Sequence, residues 1–449
     1  MDSLLDQSAL SDLAERLVAA ARRAGADASD AIAQRGVSIS VEVREGQVEE
    51  SQRSEGDSVG LRVLVGRKQA VVSTSDIKAD VDGLAQRAVA MAKVAPDDKY
   101  AGLADPSQLA KSVPDLDLLD PTMPSVEKLE AMAQAAEAAG LAVKGVTKSG
   151  GASASAGIGG MVLVTSTGFS QAYLGSQHGI SMQAIAGEGT GMERDYDYSA
   201  TIFASDLEAP EKIGRSAGER AVKRLNPRKV ATKKVPVIYD TRVAGSLIGH
   251  LSGAINGASI ARGTSFLKEK LGERIFADGI TIIDDPLRKR GLRSSPFDAE
   301  GIAGQVRKLI DGGRLTTWIL DCATARELNM TTTGHAHRGV SSTPSPGASN
   351  LHMMPGKLSV AEMIAGIDEG FFVTDLIGSG ANIVTGDYSR GASGFWIEKG
   401  ELTYPVSEVT IAGSLPAMFM ALTPANDLVF RYGTNSPTVR IEGLTVAGV

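Results

Sequence analysis

Hydrophobic residues near the start of the chain change from a helical to an alternating spacing. Residues 10–21 place Leu, Val and Ala three or four positions apart, which predicts a helix that ends at Gly25. In residues 37–44, Val and Ile alternate with polar residues, as in a strand with one buried face. A turn at Glu45-Gly46-Gln47 can then start a second strand. A hairpin at Gly66-Arg67 and a helix over residues 81–92 complete a predicted unit of helix, antiparallel strands and helix.

A boundary is predicted after this unit, because residues 96–124 contain five prolines among many aspartates. Ser125 can cap a helix that runs to Ala139, with Gly140 as its stop. Strand patterns on both sides of Thr167-Gly168 predict a hairpin, and residues 213–221 predict a closing helix.

Short strand patterns and turns dominate the chain from Val235 onward. Lys399-Gly400 predicts a hairpin turn, and Ser359 with Glu362 predicts a capping box that opens a short helix. Strand and helix patterns do not alternate here, so an open parallel sheet is not expected. The predicted strands are 235–239, 280–283, 318–320, 371–375, 395–398, 402–405, 409–411 and 439–441.

These patterns predict an α+β protein in which N-terminal units of helix and antiparallel strands precede a strand-rich C-terminal domain. At 449 residues the chain exceeds one ordinary hydrophobic core. We expect three domains, at residues 1–120, 121–232 and 233–449.

The composition limits the kinds of partner and the cellular compartment that we expect. The formal charge of −7 argues against a nucleic-acid binder, which needs clustered Lys and Arg. No apolar run approaches the ~20 residues that span a bilayer, and Met1 to Asp6 do not resemble a signal peptide. Cys322 is the single cysteine, which excludes an intrachain disulfide and a Cys-only zinc site. We therefore expect a cytoplasmic protein that binds neither nucleic acid nor membrane.

Histidines are the candidates for metal or acid–base chemistry. A helical zinc-peptidase motif needs two His about one turn apart and a Glu that activates the bound water. His250 stands alone beside an apolar helix face, so a hydrogen-bonded core or interface histidine is the favoured interpretation. His335 and His337 share one face of an extended chain, but their polar loop has no Asp, Glu or Cys nearby in sequence. His250, His335 and His337 are therefore weak candidates for residues that line a cleft.

Phosphate-binding and nucleophile motifs are not recognisable. The Gly-rich stretches lack the order of a P-loop or a dinucleotide fingerprint, and no Gly-x-Ser-x-Gly follows a strand. Cys322 ends an apolar run and is predicted to be a small buried residue. The residues alone indicate no active site.

Several long stretches resemble the TldD/PmbA family. The clearest are SSPFDAEG at 294–301, SNLHMMPG at 349–356 and TGDYSRGASGFWIEKGE at 385–401, and shorter ones occur at 60–65 and 166–169. The resemblance implies subunits that pair, as in a TldD–TldE heterodimer. It also implies a cytoplasmic zinc-dependent peptidase of unfolded peptides, linked to peptide maturation and antitoxin degradation.

The resemblance places this chain on the PmbA (TldE) side of that family. TldD-type chains carry His-Glu-x-x-x-His on a helix and a Cys near the C-terminus as the third zinc ligand. Alignment on Arg262-Gly-Thr-Ser265 puts Ile248 and Gly253 at the two His positions and Gly249 at the Glu position, and residues 428–433 offer no Cys. Neither Ile nor Gly can coordinate zinc. We therefore assign no catalytic and no metal residue to this chain.

The resulting hypothesis is a non-catalytic subunit whose TldD-type partner carries the zinc. A heterodimer is expected, with a homodimer as an alternative, and unfolded peptides as substrates. The helix predicted over residues 242–258 and the Gly-rich residues 378–394 are expected at the shared cleft. Two other functions stay open: an active hydrolase with its own metal site at His335 and His337, or a regulatory binding protein without a protease role.

Overall fold

The structure, a computed structural model, describes residues 5–449. Residues 1–4, and with them most of the segment that argued against a signal peptide, lie outside the described residues. The first half of the chain contains the elements α1 (Ser8–Arg23), β1 (Ala28–Arg44), β2 (Gln47–Val65), β3 (Lys68–Thr74), α2 (Val81–Val94), α3 (Val126–Leu141), β4 (Val146–Thr165), β5 (Ser170–Ala186), β6 (Glu193–Thr201) and α4 (Pro210–Lys223).

One antiparallel sheet organises this half of the chain. Its strand order is β3-β2-β1-β4-β5-β6. The sheet continues across the boundary expected at residue 120, because β1 pairs with β4 from Asp30–Thr165 to Val43–Ala152. The hairpins predicted at Gly46, Gly66 and Gly168 are confirmed. The division into three domains stays a prediction.

The two faces of the sheet have different partners. On β1, Ala31 and Val41 point to one face, where α1 and α2 cover one part of the sheet and α3 and α4 cover another. Ile32 points to the opposite face and packs with Phe297 and Ala336 from the C-terminal half. Because successive side chains of a strand point to opposite faces, the sheet packs against the helices with one face and against the C-terminal half with the other.

The C-terminal half is rich in strands, as predicted, and the α+β class is confirmed. Its elements are β7 (Lys233–Tyr239), α5 (Thr241–Ala254), α6 (Gly257–Ala261), β8 (Ile282–Asp284), β9 (Arg307–Asp311), β10 (Arg314–Leu315), α7 (Cys322–Glu327), β11 (Ala336–His337), β12 (Ser345–Pro346), β13 (Leu351–Met353), α8 (Val360–Ala365), β14 (Glu369–Ile377), β15 (Asp387–Glu398), β16 (Glu401–Ser414), α9 (Leu415–Met420), β17 (Leu422–Pro424), β18 (Thr434–Asn435) and β19 (Val439–Ala447).

A barrel forms the centre of this half. The strands run β16-β15-β14-β7-β19, and β19 pairs back onto β16, which closes the sheet. The pairs are antiparallel except β7 with β14, which is parallel. A second sheet, β10-β9-β8-β13-β18, lies beside the barrel, and α5 contributes Leu247 and Leu251 to the core that the two sheets share.

Several predicted elements differ from the structure. Residues 318–320 form no strand and make a single bridge through Ile319. The helix expected over residues 242–258 is interrupted after α5 and restarts as α6, with Asn256 as its cap. Gly140 lies inside α3 rather than after it, and its lack of a side chain serves packing instead of ending the helix: a Cβ there would lie 2.5 Å from Met182 of β5 and 3.0 Å from the Gly214 carbonyl oxygen of α4. None of the helices in residues 5–449 is long and apolar enough to cross a membrane.

Candidate functional site

Helix α5 carries the positions that the resemblance aligns with a metal motif. Asp240 caps the helix by accepting a hydrogen bond from the Arg242 N–H at 2.9 Å. Ile248 is 1% exposed and belongs to the hydrophobic core. Gly249 is exposed, and a Cβ there would meet no atom within 4 Å. At Gly253 a Cβ would lie 3.9 Å from Ile383. The helix therefore presents an open, side-chain-free surface at Gly249.

His250 lies next to this open surface and packs against an aromatic ring. Its imidazole meets the Tyr388 ring edge-on, with the ring centres 5.9 Å apart. Burial, and then the charge of Arg390, lower the pKa of His250. Nε2 is buried and has no hydrogen-bond partner among the described residues. The expected hydrogen bond is therefore not made at this nitrogen within the described residues, and the interpretation as a core or interface histidine stays a prediction.

His335 has a carboxylate partner that its local sequence did not indicate. Its Nε2 lies 3.1 Å from Asp284 Oδ2, and its Nδ1 lies 2.8 Å from Thr333 Oγ1. Asp284 ends β8, which brings the two residues together across 51 positions. The sequence near His335 contains no acidic residue, and the partner is a carboxylate that is distant in sequence. His337 is exposed, and its ring packs beside Gly347.

Thr333, His335 and Asp284 are linked in the order hydroxyl, imidazole and carboxylate, as in a nucleophilic triad. Unlike a triad, they are buried. Thr333 is buried, and its hydroxyl already accepts a hydrogen bond from the Leu320 N–H at 2.7 Å. Ser349 Oγ donates to Asp284 Oδ2 at 2.6 Å. Burial opposes ionisation of Asp284, but hydrogen bonds from His335 and Ser349 hold its pKa below the usual value. These side chains fix the loop that contains β11, and none presents a free nucleophile.

A cavity of about 570 Å³ adjoins this network, between the first sheet and the C-terminal half. Asp298 lines the cavity and accepts hydrogen bonds from the backbone N–H groups of Glu300, Ile302 and Ala336. Burial and the neighbouring charge of Glu300 raise the pKa of Asp298 to about 7. The carboxyl oxygens of Asp298 are thus used by the backbone, whereas Arg338, which also lines the cavity, keeps Nε and Nη2 without a hydrogen-bond partner among the described residues.

Metal binding receives no support from this geometry. Across residues 5–449, no three His, Cys, Asp or Glu side chains converge as a metal site would require. His335 and His337 line the cavity together, but both nitrogens of His335 already have partners. At α5, Ile248, Gly249 and Gly253 offer no ligand atom.

Comparison with known proteins identifies the family. Three family models match consecutive parts of the chain: the PmbA/TldA metallopeptidase domain 1 at residues 29–92, the central domain at 119–225 and the C-terminal domain at 232–448. A protein named metalloprotease PmbA from Escherichia coli is 38% identical and covers 94% of this chain and 92% of its own length. This chain belongs to the PmbA/TldD family.

Solved structures of PmbA/TldD-like fold agree with this assignment. A Bacteroides thetaiotaomicron protein, named as a candidate modulator of DNA gyrase, superposes with a TM-score of 0.90 at 27% identity, over 98% of each chain. TldE from Thermococcus kodakarensis gives a TM-score of 0.86 at 20% identity, over 97% of this chain and 100% of its own, which shows a shared fold. The PmbA/TldD fold therefore extends over nearly the whole chain.

Sequence reasoning missed the charged residues that surround these sites. Asp284 follows an apolar run and stands next to Asp285 and Pro286, a strand end that could have drawn attention. Arg338, one residue after His337, forms a buried ion pair with Asp30 of β1. No local signal indicates that pairing, because it depends on how the two halves of the chain pack.

Proposed function

We propose that this chain is the non-catalytic subunit of a cytoplasmic TldD/TldE-like zinc metalloprotease that cleaves unfolded peptides. The observation that carries the proposal is the surface of α5. Where the resemblance expects two zinc ligands and a general base, the helix has a core isoleucine and two glycines. Without bound zinc, no water at this position becomes acidic near neutral pH.

The zinc and the catalytic base then belong to a TldD-type partner. A subunit that retains the family fold without ligands contributes by completing the cleft and binding the peptide backbone. Gly249 supports this role, because the open helix surface leaves room for an extended chain. Pairing of this kind needs a large interface, on the order of 2,000 Å² or more.

The alternative of an independent metal hydrolase at His335 and His337 is less well supported. His335 is buried and engaged at both nitrogens. The Thr333 hydroxyl already bonds the backbone of Leu320, and the Ser349 hydroxyl bonds Asp284. A regulatory role without proteolysis rests on the name of a structural relative alone, and no feature of the described residues favours it.

Reconstitution tests the proposal. The purified chain should carry no stoichiometric zinc and cleave no peptide, and adding a TldD-type subunit should produce chelator-sensitive cleavage of unfolded peptides. Elemental analysis and size-exclusion chromatography report metal content and pairing. Tightly bound zinc with proteolysis by this chain alone would overturn the proposal, as would a fully active TldD-type subunit that never associates with it.

A further inference from the structure

A second pocket, of about 280 Å³, lies between the first sheet and the C-terminal half. Its walls come from the end of β6, from residues 288–292 and from residues 430–435. The cationic residues that line it are Arg288, Lys289, Arg290 and Arg431, and we call it the basic pocket.

Two of these cations are neutralised by neighbouring carboxylates. Arg290 lies 2.9 Å from Asp206 and 2.6 Å from Asp117, and Arg431 lies 3.0 Å from Asp197. The Nε of Arg431 is buried and has no hydrogen-bond partner in the described chain. These two arginines therefore shape the pocket without adding much net charge.

Arg288 and Lys289 supply the excess positive charge. Neither forms an ion pair with a carboxylate in the part of the chain that the structure describes; Asp285 is the acidic residue whose field acts on Arg288. Lys289 is exposed. The basic pocket thus holds two cations that are free to meet an anion.

An aromatic ring holds Arg288 in place. The guanidinium carbon lies 3.3 Å from the centre of the Phe430 ring, and the His352 ring meets Phe430 edge-on at 5.0 Å. Partial burial lowers the pKa of Arg288, and no carboxylate forms an ion pair with it among the described residues. A guanidinium stacked on a ring keeps its edge available for two parallel hydrogen bonds to a carboxylate.

Strand β18 links the basic pocket to α5. Asn435 lines the pocket, and the carbonyl oxygen of its neighbour Thr434 would lie 3.2 Å from a Cβ at Gly245 of α5. Gly245 stands four residues before Gly249, which is about one helical turn. A peptide that passes Gly249 would therefore run close to the pocket.

We propose that the basic pocket binds a carboxylate of a peptide that lies in the cleft, through Arg288 and Lys289. This inference rests on the proposed peptide-handling function and adds a chemical preference to it. The carboxylate is either the peptide's C-terminus or an acidic side chain. A nucleic-acid backbone fits less well, because Asp117, Asp197 and Asp206 already pair with Arg290 and Arg431, which leaves two free cations where a polyanion needs a larger cluster.

Fluorescence anisotropy with labelled unfolded peptides tests the inference on the full-length chain. Two peptides of one sequence without Asp or Glu carry a free or an amidated C-terminus, and a third, amidated peptide differs from them by one internal Glu. Binding should be about tenfold tighter for at least one carboxylate-bearing peptide than for the amidated one. The comparison of the two carboxylate peptides identifies which source the pocket prefers.

Variants connect the preference to the basic pocket. Arg288→Gln and Lys289→Gln should each reduce the difference between carboxylate and amide peptides and leave binding of the amide peptide unchanged. Lys78→Gln removes a charge that is also exposed but lies outside the pocket, and should change nothing. Because Lys289 is exposed, its substitution tests the pocket even if Arg288→Gln disturbs the packing on Phe430. Equal affinity for all three peptides would overturn the inference, and so would tight binding of a single-stranded oligonucleotide that depends on Arg288 in place of the peptides.

The two proposals fail in different ways. Carboxylate-dependent binding by a chain that supports no cleavage with any TldD-type subunit would keep the basic pocket and overturn the proposed function. Chelator-sensitive cleavage without discrimination between the peptides would support the proposed function and overturn the carboxylate inference. If the chain binds none of the peptides, either alone or paired with its partner subunit, the carboxylate inference is wrong.

Discussion

Arg338 Nη1 lies 2.5 Å from Asp30 Oδ1, although 308 residues separate the two in sequence. Their side chains are 0% and 2% exposed. Arg62, opposite Asp30 in the sheet, contacts the other carboxylate oxygen. Asp30 therefore serves two buried guanidinium groups, one from each half of the chain, and fixes how the C-terminal half docks on the first sheet.

The first prediction concerns this carboxylate. Asp30→Asn leaves Arg62 and Arg338 buried together without the charge that both contact, and should lower the free energy of unfolding by about 3–5 kcal/mol. Arg338→Met should cost less, because it leaves Asp30 paired with Arg62. Urea unfolding of the two variants measures the difference. Arg53→Met, in an exposed pair with Glu55, is the control and should change stability by less than about 1 kcal/mol. A smaller effect for Asp30→Asn than for Arg338→Met would contradict the assignment.

Local structure could be predicted from the sequence, because its signals are a few residues apart. At Lys399-Gly400 both residues have positive φ, of 52° and 81°, as a two-residue hairpin requires. The capping box of Ser359 and Glu362 is confirmed with both of its hydrogen bonds. Pairing of β1 with β4, and closure of the barrel through β19 and β16, join segments without any local signal of register.

The candidate site was less predictable for the same reason. Gly249 is identified by its place in a motif, but its openness depends on the elements around α5. The partner of His335 is Asp284, and the partner of Arg288 is Phe430; each contact crosses tens of residues or more. Sequence pattern shows which residues are available for chemistry, whereas packing decides which of them already have partners.

The second prediction concerns pH. Burial raises the pKa of Asp298 to about 7, whereas an unfolded aspartate titrates near 3.9. Below pH ~4 both states hold the proton; between about pH 4 and pH 7 only the folded state keeps it. The contribution of this carboxyl to stability is therefore present at low pH and is lost as pH rises, at about 1.4 kcal/mol per pH unit.

Asp298→Asn tests this through the slope of the free energy of unfolding against pH, not through the free energy at one pH. The amide side chain does not titrate. The free energy of unfolding of the variant should therefore fall less steeply with pH than that of the wild type, and the difference in slope should correspond to about one proton between pH 4 and pH 7. Loss of the hydrogen bond from the Ala336 N–H shifts the whole curve and leaves the slope comparison intact. Parallel curves for the two proteins would show that Asp298 titrates normally.

The third prediction compares two helical glycines. A Cβ at Gly249 meets no atom within 4 Å, so Gly249→Ala should stabilise α5 by about 0.5–1 kcal/mol. A Cβ at Gly214 of α4 would lie 1.8 Å from the Ala136 carbonyl oxygen of α3. Gly214→Ala must push the two helices apart and should destabilise by about 1–3 kcal/mol. Chemical unfolding decides both, and destabilisation by Gly249→Ala would mean that this helix surface is covered in solution.

The last prediction uses the same open surface to test whether peptides pass it. Gly249→Trp should fold, because the indole projects into open space, but it should obstruct a chain lying along α5. In the reconstituted pair it should reduce cleavage of unfolded peptides at least about tenfold, which corresponds to ~1.4 kcal/mol in the activation free energy. Gly56→Trp is the matched control, since Gly56 is exposed on β2 and a Cβ there also meets nothing within 4 Å. Size-exclusion chromatography separates a blocked cleft from lost pairing. If Gly249→Trp forms the pair and cleaves as fast as Gly56→Trp, the open surface of α5 is not part of the peptide's path.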